Sequence, residues 1–141
     1  MHKIAFVCSG NTCRSPMAEG MFNTEAIKRG LDARAVSCGL SVGMSRPASE
    51  KAVLAAGEYG ADISGHFSQP ATVELLSGCD KIYGMTGAHV QFLKSALPDL
   101  AERIEPLAGR DVSDPYGGGQ AEYDRAAEEI WRAVSVLLEE F

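Results

Sequence analysis

The chain contains no long apolar run. Hydrophobic residues make up 45% of its 141 residues, yet no segment approaches the roughly 20 consecutive apolar residues that a membrane-spanning helix needs. The apolar stretch Lys3–Val7 is too short for the core of a signal peptide. Linkers, low-complexity tracts and internal repeats are also absent from the sequence. We therefore expect one soluble, cytoplasmic domain over residues 1–141.

Histidine and excess positive charge are scarce as well. The three histidines are scattered at positions 2, 66 and 89, and no Cys-x2-Cys pair exists, which argues against a zinc site. We expect neither a metal nor another cofactor. The formal net charge of −6 argues against nucleic acid or an anionic membrane as a partner. An anionic ligand would therefore need a local positive site on an acidic protein.

Strand and helix patterns alternate along the chain, which predicts a doubly wound α/β sheet with its ligand at the carboxyl ends of the strands. The predicted strands are 3–7, 33–37, 81–85 and 103–107, and the predicted helices are one that ends near 30, then 49–59, 72–76 and 89–96, and a final helix. The final helix carries a stripe that we assign to the core: Ala127, Ile130, Trp131, Val134, Leu137, Leu138 and Phe141.

The most informative motif follows the first predicted strand. The segment Cys8-Ser9-Gly10-Asn11-Thr12-Cys13-Arg14-Ser15-Pro16 joins that strand to a helix, with Ser15 as the expected N-cap and Pro16 as the first helical residue. The backbone N–H groups of such a loop and helix start converge on one point, where the helix dipole favours an anion. The sequence therefore predicts a phosphate-binding loop after the first strand.

The side chains of this motif suit phosphoryl transfer. A cysteine at a helix N-terminus and beside an arginine is stabilised as the nucleophilic thiolate, which favours Cys8 as the nucleophile. Arg14 can bind two phosphate oxygens at once. Gly10 permits close backbone approach, and Asn11 tolerates the left-handed conformation while its amide can tie the loop together. A buried structural Cys8 beside a solvated Arg14 is the alternative that the full motif disfavours.

A second candidate lies in the glycine-rich segment 109–119, which precedes the last helix. A leaving group needs a proton when its bond to phosphorus breaks, and the Asp114 carboxyl could supply that proton and then activate water. For Asp111 we prefer a structural role in the turn.

The two motifs together resemble the low-molecular-weight protein tyrosine phosphatase family. The resemblance rests on Val7-Cys8-x-Gly10-Asn11-x-Cys13-Arg14-Ser15-Pro16 and on Asp114-Pro115-Tyr116, and so spans nearly the whole chain. It implies a single-domain fold with a four-stranded parallel sheet flanked by helices. The resemblance also implies catalytic roles for Cys8, Arg14 and Asp114. The expected substrate-binding residues are Ser9, Gly10, Asn11, Thr12, Cys13, Ser15 and Tyr116.

The family resemblance also implies that Cys13 can form a reversible disulfide with Cys8, which would protect the nucleophile from over-oxidation. The alternative is that the Cys13 thiol only packs. Cys38 and Cys79 are interpreted as small buried apolar residues.

Three positions bear on the substrate. Thr12 stands where tyrosine-specific members usually carry a bulky aliphatic residue, and a small polar side chain suits a guanidinium. Residues 85–89, Met-Thr-Gly-Ala-His, replace a Met-Asp-x-x-Asn pattern of the tyrosine branch, and Tyr116-Gly117 leaves one aromatic residue instead of two. All three resemble the protein arginine phosphatase branch, although that branch commonly has Phe at the position of Tyr116.

The sequence thus favours hydrolysis of phosphoarginine in proteins through a phosphocysteine intermediate, with phosphorylated proteins as partners. A protein tyrosine phosphatase is the first alternative. An arsenate reductase is disfavoured because Cys79 has no partner cysteine a few residues later. A catalytically inactive phosphate-binding module is disfavoured because Cys8, Arg14 and Asp114 are all present. The oligomeric state and the individual protein substrates are left open.

Overall fold

The computed structural model describes all residues, 1–141. Strands and helices alternate as the sequence pattern predicted. The strands are β1 (His2–Cys8), β2 (Ala33–Gly39), β3 (Lys81–Gly84) and β4 (Ile104–Pro106), and the helices are α1 (Arg14–Lys28), α2 (Glu50–Gly57), α3 (Val73–Ser77), α4 (Gly87–Ala96) and α5 (Gln120–Leu138). A 3-10 helix over Pro98–Arg103, which the sequence analysis did not predict, leads into β4.

The four strands form one parallel sheet in the order β2-β1-β3-β4, which confirms the predicted fold class. Strand β1 is central and pairs with β2 on one side and β3 on the other. The direction of the chain connections reverses beside β1, and in sheets of this type ligands bind at such a point, outside the carboxyl ends of the strands. The fold therefore places the end of β1, at Cys8, where a ligand site is expected.

Helices cover both faces of the sheet, so β1 is buried on both sides. Ile4, Phe6 and Cys8 face a large cluster that includes α1, α2 and α5. Ala5 and Val7 face a smaller cluster that includes α3 and α4. This alternation fixes the register of β1, because a slip by one residue would exchange the two faces.

Helix α1 begins two residues earlier than predicted, and the assignment of Ser15 as its N-cap was wrong. The N-cap is Cys13, the first helical residue is Arg14, and no side chain caps this end. The Ser15 hydroxyl lies 2.8 Å from the Cys8 Sγ and so points to the loop rather than to a helix N–H. Pro16 is the third helical residue, a position at which its missing N–H has no intrahelical partner to lose.

The stripe of α5 packs into the large cluster as predicted, except at its indole. Trp131 is only half-buried, with its ring centroid 5.3 Å from that of Tyr59. Helix α5 ends before Phe141, which still packs against the ring of Phe22. No helix of the structure has the length and apolar character that crossing a membrane would require.

Candidate active site

The Cys8 thiol lies at the carboxyl end of β1 and is 3% exposed. Its Sγ lies 2.8 Å from the Ser15 Oγ and accepts a hydrogen bond from the Asn11 backbone N–H at 3.3 Å. The loop thus gives the sulfur two hydrogen-bonding partners. Hydrogen bonds of this kind stabilise a sulfur anion more than a neutral thiol.

Asn11 determines the direction of these hydrogen bonds. Its Nδ2 donates to the Ser15 Oγ at 2.8 Å and to the Ser37 Oγ at 3.0 Å, while the Ser37 hydroxyl donates to Glu19 at 2.6 Å. Because the Ser15 oxygen already accepts from Asn11, its own hydrogen is free to point at the Cys8 sulfur. A chain of hydrogen bonds therefore runs from the carboxylate of Glu19 to the thiol.

The backbone of Asn11 is also fixed by its surroundings. The residue has φ of 56°, in the left-handed region that asparagine tolerates, and its side chain is fully buried. Its Oδ1 accepts from the Gln69 backbone N–H at 2.9 Å, and its carbonyl oxygen lies 2.8 Å from the His66 Nε2. Since a carbonyl only accepts, the His66 Nε2 carries the proton. The sequence analysis anticipated the role of Asn11 but not these two partners.

Several backbone donors of the loop are free. The N–H groups of Gly10, Thr12 and Cys13 donate to no acceptor in the protein. Gly39 of β2 lies close beneath this loop, because a Cβ on it would lie 2.6 Å from the Ser9 carbonyl oxygen. Free N–H groups next to a helix N-terminus form an anion-binding site.

Arg14 contributes the positive charge of the site. It is 6% exposed, and its Nη1 donates to the Val112 carbonyl oxygen at 3.1 Å. Its Nη2 lies 3.7 Å from the Asp114 Oδ2, and the Asp114 side chain is 61% exposed. The other oxygen of Asp114 accepts from the Tyr116 backbone N–H at 3.1 Å. The structure thus brings together the two sequence motifs, which lie one hundred residues apart.

Nine of the ten site residues expected from the sequence line one cavity of about 270 Å³, with Ser41 as the single addition. The tenth, Ser15, lies behind Cys8 and contacts its sulfur. Asn11, Cys13 and Arg14 are buried at the base, Thr12 is half-buried, and the others are exposed or lie at the end of β1. The full lining is Cys8, Ser9, Gly10, Asn11, Thr12, Cys13, Arg14, Ser41, Asp114 and Tyr116.

Asp111 does not line this cavity. Its Oδ1 accepts from the Gly87 backbone N–H at 2.8 Å, at the start of α4. Val112 donates its backbone N–H to the Met85 carbonyl oxygen at 2.9 Å, and both Ser113 donors bind the Glu129 carboxylate. These contacts anchor the loop on both sides of its turn and agree with a structural role for Asp111.

The four cysteines, all free thiols, differ in their surroundings. The Cys13 Sγ lies 3.4 Å from the Tyr123 hydroxyl and 4.0 Å from the Ser49 Oγ, so it has polar neighbours. Burial, together with smaller effects of the nearby Cys8, Cys79 and Glu19, raises the pKa of Cys38 to about 12. Burial also raises the pKa of Cys79. Cys38 and Cys79 therefore stay as neutral thiols, as the sequence analysis expected.

The sequence analysis did not predict that five polar residues from other parts of the chain lie around the loop. Four of them contact the loop from positions 26 to 80 residues away along the chain: Ser37, His66, Gln69 and His89. The fifth, Ser41, lines the cavity. No spacing pattern links these residues to the motif, because the connections pass through other strands and loops. Only the fold brings them together.

Comparison with known proteins places the chain among phosphatases. The family model described as low molecular weight phosphotyrosine protein phosphatase matches residues 3–141. The protein-arginine-phosphatase of Bacillus subtilis (strain 168) is 35% identical over 90% of this chain and 88% of its own length. The probable low molecular weight protein-tyrosine-phosphatase EpsP of Ralstonia nicotianae is 34% identical over 96% of this chain and 92% of its own length.

Solved structures give the same result. A crystal structure of a low molecular weight protein tyrosine phosphatase from T. tengcongensis superposes with a TM-score of 0.95 at 38% identity, and covers all of both chains. The relatives carry two kinds of name, arginine phosphatase and tyrosine phosphatase, at nearly equal similarity.

Proposed function

Because this chain belongs to the low molecular weight phosphotyrosine protein phosphatase family and is a cysteine-based protein phosphatase, we propose that it hydrolyses phosphoarginine in proteins through a phosphocysteine intermediate. We further propose that residues 1–141 act as one catalytic domain, since both core clusters pack on the same sheet.

Cys8 is the proposed nucleophile. Its sulfur accepts hydrogen bonds from the Asn11 N–H and from Ser15, whose hydrogen is directed to it because Asn11 donates to the Ser15 oxygen. The sulfur attacks phosphorus, and a phosphorus–sulfur bond forms as the phosphorus–nitrogen bond to the substrate breaks. A buried, hydrogen-bonded sulfur in a cavity lined by residues with free N–H groups supports this role.

The loop and Arg14 are the proposed phosphoryl-binding groups. Gly10, Thr12 and Cys13, whose N–H groups are free, line the same cavity as Arg14. A hydrogen bond to the Val112 carbonyl holds the Arg14 guanidinium in place. Donors that are already fixed stabilise the charge of the transition state without reorganising as the reaction proceeds.

Asp114 is the proposed general acid. Asp114 is the single acidic residue of the cavity lining, and its carboxyl lies 3.7 Å from the Arg14 guanidinium. It gives its proton to the leaving nitrogen as the bond to phosphorus breaks. The resulting carboxylate then takes a proton from the water that attacks the phosphocysteine, which releases phosphate and restores the thiolate.

The observation that carries the choice of phosphoarginine is Thr12. Its half-buried side chain lines the cavity, so a hydroxyl and a single methyl group take the place of a bulky aliphatic side chain at this wall. Ser9 and Ser41 add two further hydroxyl groups to the lining. A wall of hydroxyl groups suits a guanidinium, which donates hydrogen bonds, better than a phenyl ring, which does not.

Phosphotyrosine is the alternative substrate, and one residue favours it. Tyr116 lines the same cavity with a side chain that is 80% exposed, where it could contact an aromatic ring of the substrate. A relative named a tyrosine phosphatase is also almost as similar as the arginine phosphatase.

Turnover of matched phosphopeptides tests the choice. Two peptides of the same flanking sequence, one with phosphoarginine and one with phosphotyrosine, are compared by kcat/KM from phosphate release. We expect the higher value for phosphoarginine. A higher value for phosphotyrosine would transfer the assignment to the tyrosine branch and leave the proposed roles of Cys8, Arg14 and Asp114 in place.

A further inference from the structure

A histidine of helix α4, outside the cavity, contacts the side chain of Ser9. The Ser9 Oγ lies 3.0 Å from the Nε2 of His89, which lies eighty residues later in the first turn of α4. Ser9 lines the cavity, whereas His89 is 6% exposed and is not part of the lining. The close approach depends on Gly84 at the end of β3, where a Cβ would lie 3.1 Å from the His89 Cβ and 2.9 Å from the Val90 Cγ2.

The surroundings of the ring indicate which nitrogen carries the proton. The Nδ1 of His89 is the one buried side-chain nitrogen or oxygen of the protein that has no hydrogen-bond partner. A buried N–H without an acceptor is rarer in proteins than a buried acceptor without a donor. The proton therefore lies on Nε2, which donates to the Ser9 oxygen.

The ring is also neutral at neutral pH. Burial lowers the pKa of His89 and the nearby Arg14 lowers it further, while Asp111 and Asp114 act in the opposite direction. A neutral ring with its single proton on Nε2 makes one defined hydrogen bond to Ser9. The Ser9 oxygen then keeps one lone pair and its own hydrogen for other partners.

We propose that His89 is a positioning residue that holds the Ser9 hydroxyl at the cavity wall as an acceptor for an N–H of the substrate guanidinium. This inference rests on the proposed function, and it assigns Ser9 a specificity role in addition to Thr12. Phosphotyrosine has no N–H beside its phosphoryl group, so the contact discriminates between the two substrates.

Ser9 suits the leaving group better than the phosphoryl group because of its depth in the cavity. Cys13 and Arg14, which carry one of the free backbone donors and the guanidinium, are buried at the base. Ser9 is exposed, as are Asp114 and Tyr116, so these residues line the outer part through which the rest of the substrate must pass. The Ser9 hydroxyl is therefore placed to contact the guanidinium of the substrate rather than its phosphoryl group.

The first part of the test replaces the acceptor. Ser9→Ala is expected to lower the ratio of kcat/KM for phosphoarginine to kcat/KM for phosphotyrosine about tenfold, the usual effect of losing one hydrogen bond to a charged group. The inhibition constant of inorganic phosphate, which has no leaving group, should change by less than about threefold, which is less than the loss of one such hydrogen bond would cause. Ser64→Ala is the matched control, because its hydroxyl binds Asp62 within its own turn.

The second part replaces the positioning residue. His89→Leu removes the donor and should lower the ratio of the two kcat/KM values as much as Ser9→Ala does. His89→Gln can place an amide N–H near the position of Nε2 and should retain most of the wild-type ratio. The double variant Ser9→Ala with His89→Leu should be no worse than Ser9→Ala alone, because both act through one contact. His89→Met replaces His89→Leu if the latter fails to fold, and His2→Leu is the histidine control.

Three results would each overturn the inference. The first is a double variant whose ratio falls by the product of the two single effects, and the second is a ratio as low in His89→Gln as in His89→Leu. The third is an equal loss of kcat/KM for phosphoarginine and for phosphotyrosine. Failure of the proposed function has a different signature, since it appears in the wild-type ratio alone. The change caused by each variant is measured relative to that wild-type ratio, whichever substrate it favours.

Discussion

The Arg14 guanidinium and the Asp114 carboxylate lie 3.7 Å apart on the wall of one cavity, and only the carboxylate is open to solvent. Arg14 is held by the Val112 carbonyl, while Asp114 belongs to an exposed turn. A phosphoryl group in the cavity offers Arg14 a stronger, two-oxygen partner than this single long contact. We therefore expect substrate binding to draw Arg14 to the phosphoryl oxygens and leave the Asp114 carboxyl free to serve the leaving group.

This arrangement predicts a selective loss in Asp114→Asn. Without a proton donor for the leaving group, kcat should fall by about 10²- to 10⁴-fold, the range expected for general acid catalysis. Inhibition by vanadate should change little, because Arg14 and the backbone donors are retained. Asp111→Asn is the matched control, since Asp111 binds the Gly87 N–H and does not line the cavity. A large loss in the control and none in Asp114→Asn would exchange the proposed roles.

The proposed nucleophile predicts a variant that binds but does not turn over. Cys8→Ala should have no measurable steady-state activity and should still bind vanadate or phosphate, since the loop donors and Arg14 remain. Isothermal calorimetry with phosphate measures the binding. Cys38→Ala is the control, because Cys38 is a buried thiol of the neighbouring strand β2, paired with Val7, and does not line the cavity. Activity in Cys8→Ala would require another nucleophile.

The sequence predicted the cavity well because most of its lining is contiguous in the chain. Residues 8–14 form one loop between a strand and a helix, and the Asp-Pro motif supplied Asp114. The start of α1 was predicted wrongly, because Ser15 is a good N-cap by residue type but its hydroxyl is directed to Cys8. The sequence pointed to the segment that ends in His89, but the contacts of His66 and His89 could not be predicted, because they depend on how distant loops and α4 pack against the loop.

Oxidation tests the role proposed for Cys13. Mild peroxide should convert the Cys8 thiolate to a sulfenic acid, and the Cys13 thiol should then displace water to form a disulfide that thiols reduce. Mass mapping of the Cys8–Cys13 link and recovery of activity with dithiothreitol measure this. Cys13→Ser should recover poorly after the same treatment, with Cys79→Ser as the control. Recovery equal to that of the wild type would mean that Cys13 only packs against Tyr123 and Ser49.

The environment of His89 predicts a dependence of stability on pH. Burial lowers its pKa in the folded state below the unfolded value of 6.5. Above that pH both states hold a neutral ring, and as the pH falls through it the unfolded chain binds a proton that the folded protein resists. The free energy of unfolding should therefore decrease between pH 7 and pH 5 more steeply in the wild type than in His89→Gln. Urea denaturation at several pH values measures the difference, and parallel curves would contradict it.

Thr12 gives the most direct test of substrate choice, because its half-buried side chain lines the cavity next to the loop donors. Thr12→Ile adds bulk and removes a hydroxyl, which should disfavour a branched, polar guanidinium and favour contact with a flat apolar ring. We expect kcat/KM to fall for phosphoarginine and to rise for phosphotyrosine, with a shift in their ratio of about tenfold or more, the scale of a single side-chain change in a pocket. Thr12→Ser keeps the hydroxyl without adding bulk and should stay near the wild-type ratio. If Thr12→Ile leaves the ratio unchanged, Thr12 does not set the preference, and the case for phosphoarginine loses the observation on which it rests.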